Sequence, residues 1–588
     1  MAKFTTRPVI MGRHYVVTSG HYLATAAGHQ IMAQGGNAMD AAVAMGLCLN
    51  LLEPHNNSLG GEAPTLVYSA REKKVYAVSG LGWSPAALSL DWCRQHGIDL
   101  IPGDGYIPAC VPAMLDTWAL ILARFGTLSF AQAAAPAIEL AENGFPLYPE
   151  LSEVMTALAG HFTRQYPSTA RLYLPDGATA ETGKLFRNLD WADALRKMCR
   201  AEVTASGKGR IAGIEAARDV FYRGEIAEKI VEFITAHPVE DASGRAHSGL
   251  LNLADFAEWH ATLEEPVMYN YHGLEVYKCP AWTQGPVFLQ QLAILQGFDL
   301  KSMGHNSADY LHTWIECAKL AFADREAYYG DPLFDDVPMH LLLSTVYNDQ
   351  RRELIGPLAS VDLRPGDVGR GFPAYATLPV HTDNQHGLAL RSHAGDTTHL
   401  DALDAQGNMV ACTPSGGWFQ ASPVIEGLGF PLGTRAQMFY LNPERPNSLA
   451  PHKRPRATLT PTLVTRQGEP YLAFGTQGGD CQDQWTLQFF LNVVDFGMDL
   501  QEAIDAPIVH TDHFPSSFYP RQAYPMLVSA EGRITADVLQ DLERRGHKLS
   551  VLGDWEHGKV MCVRYDAGRQ MLSAAASPRG MVAYAQGW

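Results

Sequence analysis

The run AMDAAVAMGLCLNLL at residues 38–52 is apolar on nearly every face of a helix, so it has no side to offer to water and must be buried. Asn37 supplies the N-cap that starts it and Pro54 closes it; Gly35-Gly36 ends an earlier helix in the stretch from Val16 onward. Enclosing such a helix takes a large core. The 588 residues, 46% hydrophobic and 18% charged, provide one and carry no signature of disorder. That length exceeds one ordinary domain and fits either two lobes or one large body.

Periodicity sorts the remainder. Residues 65–68 and 74–78 read as a hairpin around the polar turn Ala70-Arg71-Glu72-Lys73. Residues 129–143 form a helix that Gly144 can close in the left-handed conformation. Residues 307–329 carry Leu311, Trp314, Ile315, Ala318 and Phe322 at helical spacing, the pattern of an amphipathic helix facing a core. Residues 354–396 lose all periodicity and read as a long exposed segment, open to cleavage. Beyond them strands dominate, at 398–403, 409–413, 461–465 and 471–474, with helices at 484–496 and 535–545. Strands and helices interleave at both ends of the chain, so the expected class is α+β, one body whose sheets carry helices on their outer faces.

The formal charge of −17 disfavours nucleic acid or an anionic membrane as partner, because phosphate binding needs a basic field. Nine cysteines are scattered with no C-x-x-C spacing, so the sequence writes neither a zinc site nor a disulfide framework, and no metal is expected. The N-terminus has no apolar h-region, and no stretch reaches the length of a membrane span. The expectation is a cytoplasmic protein whose clients are small molecules.

The informative segment is Gly395-Asp396-Thr397-Thr398-His399, between a loop and a strand. By itself a threonine pair at a strand entrance is ordinary β-branched filling. It gains meaning from its company. Gly35-Gly36-Asn37-Ala38-Met39-Asp40-Ala41-Ala42-Val43-Ala44, Glu53-Pro54 and Leu59-Gly60-Gly61 come first. Ala323-Asp324-Arg325 with Gly330-Asp331-Pro332, then Thr397-Thr398-His399 with Asp404, Gly407 and Asn408, follow. Lys453-Arg454-Pro455 with Pro461-Thr462, Gly478-Gly479 and Ser577-Pro578-Arg579 complete the order. From about Gly20 to the C-terminus the chain resembles the γ-glutamyltransferase family.

That resemblance implies a four-layer αββα N-terminal-nucleophile hydrolase made as one precursor. It cuts itself between Asp396 and Thr397 into a large segment, residues 1–396, and a small one, residues 397–588, which together form one body. The Thr397 hydroxyl attacks the preceding carbonyl, an N-to-O acyl shift makes an ester, and water frees a new N-terminal threonine whose amine serves as base. Ser415 stands where the family has a hydroxyl that tunes the nucleophile. Gly478 and Gly479 match the pair whose N–H groups hold the oxyanion. No cofactor is implied. His399 reads as a hydrogen-bonded core residue, Asp40 and Glu53 as structural caps or buried partners, and the cluster from Lys453 to Arg456 as either a solvated patch or a cavity rim or subunit contact.

The chain departs from the family where a γ-glutamyl group would be held. The carboxylate-binding arginine falls on Leu81, the paired serines on Ala457 and Thr458, the substrate asparagine on Gly417, and the glutamine and aspartate that meet the ammonium on Ala436 and Phe439. Each lost charge-assisted hydrogen bond removes about 1.5–3 kcal/mol. The resemblance therefore points to a small-molecule amide hydrolase for another acyl group, like the cephalosporin-acylase and oxamate-hydrolase branches, the latter resembled by Gly478-Gly479-Asp480. Gly417, Trp418, Phe419, Arg435, Thr458 and Asp480 are the candidate substrate contacts, with Arg435 either binding an acid group or sitting in a surface ion pair. Two alternatives stay open, a genuine γ-glutamyl transpeptidase or glutathione hydrolase with altered contacts, and a catalytically silent member with a binding role. A homo-oligomer is compatible with every reading.

Overall fold

The computed structural model describes residues 4–371 and 397–588. Two seven-stranded antiparallel sheets form its centre. The first runs, in spatial order, Ile10–Gly12, Met571–Ala576, Met561–Asp566, Glu469–Gly475, Thr462–Arg466, Leu274–Lys278, Val267–Tyr271. The second runs Tyr584–Gly587, Tyr15–Ser19, Leu400–Asp404, Met409–Cys412, Thr65–Ser69, Lys74–Val78, Leu263–Glu264. Each sheet takes strands from both sides of Thr397.

Side chains alternate across a strand, and the alternation sorts them into layers. Val16, Leu66, Leu403 and Ala411 of the second sheet share a buried cluster with Leu463, Ala473, Val563 and Leu572 of the first, so these faces meet. Their neighbours Val17, Val67, Leu400, Ala402 and Val410 pack outward with helices Tyr22–Ala33 and Ala38–Leu52. Val464, Leu472 and Phe474 pack the opposite way, with helices Pro286–Leu295, Ala308–Tyr328 and Gln482–Val494. The architecture is αββα, as expected. Among the described residues no helix is long and apolar enough to cross a membrane.

Helix Ala38–Leu52 is buried along its whole length. The Asn37 side chain accepts from the N–H groups of Met39 and Asp40, and Asp40 accepts in return from the Asn37 N–H. Asp40 also accepts from Thr127 and Leu128, which makes it a structural cap. Three expectations need correction. The stretch beginning at Val16 opens with the strand Tyr15–Ser19 before the first helix, because one of its faces fills the space between the sheets. Helix Ala308–Tyr328 is buried on all sides from Tyr310 onward, its charges neutralised by partners: Glu316 by Lys319 and Arg364, Asp324 by Arg351, Arg325 by Glu326 and Asp480. The segment from 354 has no helix or strand up to residue 371, yet Pro365, Gly366 and Val368 are buried and the Gly366 N–H donates to Asp324 at 2.7 Å; residues 372–396 lie outside those described.

The basic run 453–456 is also unlike a solvated patch. Lys453 pairs with Asp335 at 2.7 Å, Arg454 grips Asp331 through two nitrogens at 2.7 and 3.0 Å, and Arg456 pairs with Glu326 at 2.9 Å, all three basic residues being buried. These pairs tie chain before residue 397 to chain after it. Breaking a buried pair from one side leaves an uncompensated charge, at a cost of about 3–5 kcal/mol. Arg454→Ala is therefore expected to destabilise the protein by about that much, read as a lower urea midpoint.

Candidate active site

Thr397 and Thr398 lie just before strand Leu400–Asp404 and continue its ladder. The Thr398 N–H donates to the Pro414 carbonyl at 3.0 Å, and Thr397 bridges Ser415 in antiparallel register. That register, set by the hairpin to strand Met409–Cys412, places the two hydroxyls 3.1 Å apart. Thr397 is 2% exposed and Ser415 fully buried. On its other side Ser415 exchanges two backbone hydrogen bonds of 2.9 Å with Glu62.

A charged relay stands behind the hydroxyls. Arg435 Nη2 donates to Ser415 Oγ at 2.9 Å, while the same guanidinium is paired with Glu62 and lies over the Trp418 ring at 5.1 Å. Burial raises the Glu62 carboxyl above its ordinary range, and Arg435 offsets part of the rise. The order Glu62, Arg435, Ser415, Thr397 puts a cation one hydroxyl away from Thr397 Oγ, where negative charge on that oxygen would be stabilised. Arg435 is thus a buried support for Ser415, and its ion pair is an interior one, which corrects the surface ion pair.

Backbones come together here because side chains are absent. A Cβ on Gly61 would lie 2.1 Å from the Ser415 carbonyl oxygen, and one on Gly417, whose φ is +65°, 2.0 Å from Ser58 Oγ. The Leu59-Gly60-Gly61 signature is accordingly a packing requirement of the site. At Gly478, with φ +118°, a Cβ would meet the Trp485 ring at 2.1 Å. Gly478-Gly479 makes a tight turn between strand Glu469–Gly475 and helix Gln482–Val494.

The remaining candidates divide. Trp418 is buried beside Arg435, its Nε1 donating to the Asn56 carbonyl at 2.9 Å. Phe419 is packed in the large outer core. Thr458 is buried and its Oγ1 has no hydrogen-bond partner among the described residues. Asp480 is already engaged, accepting from Ser517 N at 2.8 Å and Oγ at 2.6 Å and paired with Arg325. Asp396 lies outside the described residues. His399 sits between the sheets as a core residue, bonded to Asp401 at 2.9 Å and Thr413 at 3.0 Å. Leu81, Ala436 and Phe439 are enclosed in apolar clusters.

Sequence reasoning missed Glu62, although it directly follows Gly60-Gly61 and a lone carboxylate there could have been marked. It also missed His55. Residues 54–56 run beside 418–420, with the Phe419 N–H donating to Pro54 at 3.2 Å and Gln420 Nε2 to His55 at 2.8 Å, each to the carbonyl. The His55 ring lies 6.4 Å from those of Tyr148 and Phe419, and 3.9 Å from Glu150, which pairs with Lys559 at 2.8 Å.

Burial lowers His55 from its ordinary 6.5 to about 4, despite the opposing Glu150 charge. Between those values the unfolded chain binds a proton that the folded chain refuses, so stability is present above the ordinary value and is lost as pH falls towards the folded one. The term is on the order of 3 kcal/mol. Urea midpoints measured across this window are expected to fall on acidification, and His55→Gln to flatten the slope.

The family model described as Gamma-glutamyltranspeptidase matches residues 24–587. The Glutathione hydrolase-like YwrD proenzyme of Bacillus subtilis (strain 168) is 30% identical over 575 residues, covering 97% of this chain and 98% of its own. The solved structure of LmbA2991HD superposes with a TM-score of 0.94 at 43% identity, each chain covered in full. Cephalosporin acylase from Bacillus halodurans superposes with a TM-score of 0.84 at 28% identity, over 100% of this chain and 98% of that one.

Proposed function

The chain belongs to the gamma-glutamyltranspeptidase family of hydrolases, and from that premise we propose that Thr397 is its nucleophile, exposed by cleavage after Asp396, and that it hydrolyses a small-molecule amide lacking a γ-glutamyl group. The observation that carries this reading is the buried line from Glu62 through Arg435 and Ser415 to the Thr397 hydroxyl. Ser415 accepts a hydrogen bond from a cation, which polarises its own O–H for donation to Thr397 Oγ. Negative charge developing on that oxygen during attack is stabilised through the relay, and the free amine of Thr397 takes the hydroxyl proton once the chain is cut. The first attack is on the Asp396 carbonyl and gives an ester that water opens; later attacks on substrate give an acyl-enzyme by the same route. The word proenzyme in the name of the Bacillus subtilis relative supports the cut. Gly478 and Gly479, both partly exposed and both at positive φ, are the candidate oxyanion donors, since without side chains their N–H groups can be approached closely.

The substrate class follows from what is missing. A γ-glutamyl group brings an α-carboxylate and an α-ammonium that need charged partners. Leu81, Ala436 and Phe439 are apolar and enclosed, Arg435 is spent on Glu62, and Asp480 on Arg325 and Ser517. An acyl group without those charges fits these apolar, enclosed positions better. The name of the Bacillus subtilis relative favours a second reading, glutathione hydrolysis through other contacts.

Intact mass of freshly purified protein tests the nucleophile. Wild type is expected to give two fragments beginning at Met1 and Thr397, Thr397→Ala to stay whole, and Ser415→Ala to be cut about 2- to 10-fold more slowly, as befits one hydrogen bond. Wild type that stays whole after long incubation overturns the assignment. Glutathione is expected not to compete with turnover of an uncharged acyl amide; efficient competition would favour the second reading.

A further inference from the structure

We propose that Cys481, His510 and Asp512 form a binding site for a zinc-class divalent cation at the foot of the Gly478-Gly479 turn. The three can present a sulfur, an imidazole nitrogen and a carboxylate oxygen all within 4.8 Å of one another. Ligands of a tetrahedral zinc, with bonds of about 2.0–2.3 Å, stand roughly 3.3–3.8 Å apart, so small side-chain rotations complete the geometry. His510 is 4% exposed, its Nε2 lies 3.3 Å from Asp512 Oδ2, and its Nδ1 has no hydrogen-bond partner among the described residues. A buried imidazole nitrogen without a partner carries a desolvation cost that a ligand would remove.

Chemistry selects the ion. Thiolate and imidazole favour zinc and its neighbours over magnesium or calcium, which prefer oxygen. On binding, the Cys481 thiol passes its proton to water and forms a sulfur–metal bond; one thiolate and one carboxylate then balance the two positive charges, with His510 neutral. Three protein ligands leave a fourth position for water.

Access is available. Seven of the nine cysteines are buried, leaving Cys481 and Cys199 partly exposed, and Asp512 is partly exposed too. Place in the fold links the site to the turn. The Cys481 N–H donates to the Gly478 carbonyl at 2.9 Å, and Trp485, whose ring packs on Gly478, stands 5.4 Å from the His510 ring, with His557 4.6 Å from the same ring. The other trio within coordination reach among the described residues is different: in His312, Glu316 and His547 the carboxylate is held by Lys319 and Arg364, and both His312 nitrogens are hydrogen-bonded. No C-x-x-C spacing announces the proposed site because its ligands come from a helix start and from strand Val509–Thr511 with the residue after it.

The proposal does not depend on which residue is the nucleophile, and its test reads binding directly. Cobalt(II) is titrated into the full-length protein after chelator treatment, and the thiolate-to-cobalt charge-transfer absorption is followed. The expected result is a saturable band that zinc displaces and magnesium does not. It is lost in Cys481→Ser and retained in Cys199→Ser, and the apparent affinity falls at least about tenfold in His510→Ala and in the near-isosteric Asp512→Asn. Absence of a band in wild type, its survival in Cys481→Ser, or its loss in Cys199→Ser overturns the site. Circular dichroism of each variant separates a lost ligand from a lost fold.

Discussion

The Glu62–Arg435 pair is the interaction on which the candidate site depends. A guanidinium and a carboxylate this deeply buried each carry a desolvation penalty of several kcal/mol, repaid only by close mutual contact and by hydrogen bonds to what remains. Ser415 Oγ provides one of those bonds, and it also approaches Thr397. The same contacts that make the ion pair tolerable therefore fix the orientation of the two hydroxyls. Both segments meeting at this point carry glycines where the backbones are in contact: Gly61 and Gly416-Gly417 have no space for a side chain.

Much of the fold was legible because its strongest signals are local. The uniformly apolar run at 38–52, the Asn37 cap, the helix at 129–143 with Gly144 at its end, and the hairpin at 65–78 depend on residues close in sequence. What local patterns could not reveal was the second partner of each buried charge. Helix Ala308–Tyr328 looks amphipathic because its charges face groups such as Arg364 and Asp480, distant in sequence. The run from Lys453 to Arg456 looks solvated for the same reason, its acids lying at Asp335, Asp331 and Glu326. Polarity in a window signals exposure only when the counter-charge is local.

The site divides along the same line. Thr397, Ser415 and the two glycines could be marked because they resemble a family pattern, and the hydroxyl pair does meet. The Glu62 partner of Arg435 was not legible, since nothing in its own neighbourhood indicates that Glu62 would reach it across the fold. Asp480 was marked as a substrate contact, while its partners Arg325 and Ser517 lie far away in the chain. Glu62 and His55 passed unmarked because the groups they meet, Arg435 and Glu150, lie far from them in sequence.

Each sheet draws strands from both sides of Thr397, with Tyr15–Ser19 lying between Leu400–Asp404 and Tyr584–Gly587 in one and Leu274–Lys278 beside Thr462–Arg466 in the other. A chain cut at that point holds two pieces that cannot part without tearing both sheets. Cutting would leave the native state almost unchanged while altering the way back to it. An intact chain refolds as a first-order event, whereas two severed pieces must find each other, and their recovery depends on concentration. The cut would thus act as a ratchet, allowing assembly once and making every later unfolding costly to reverse.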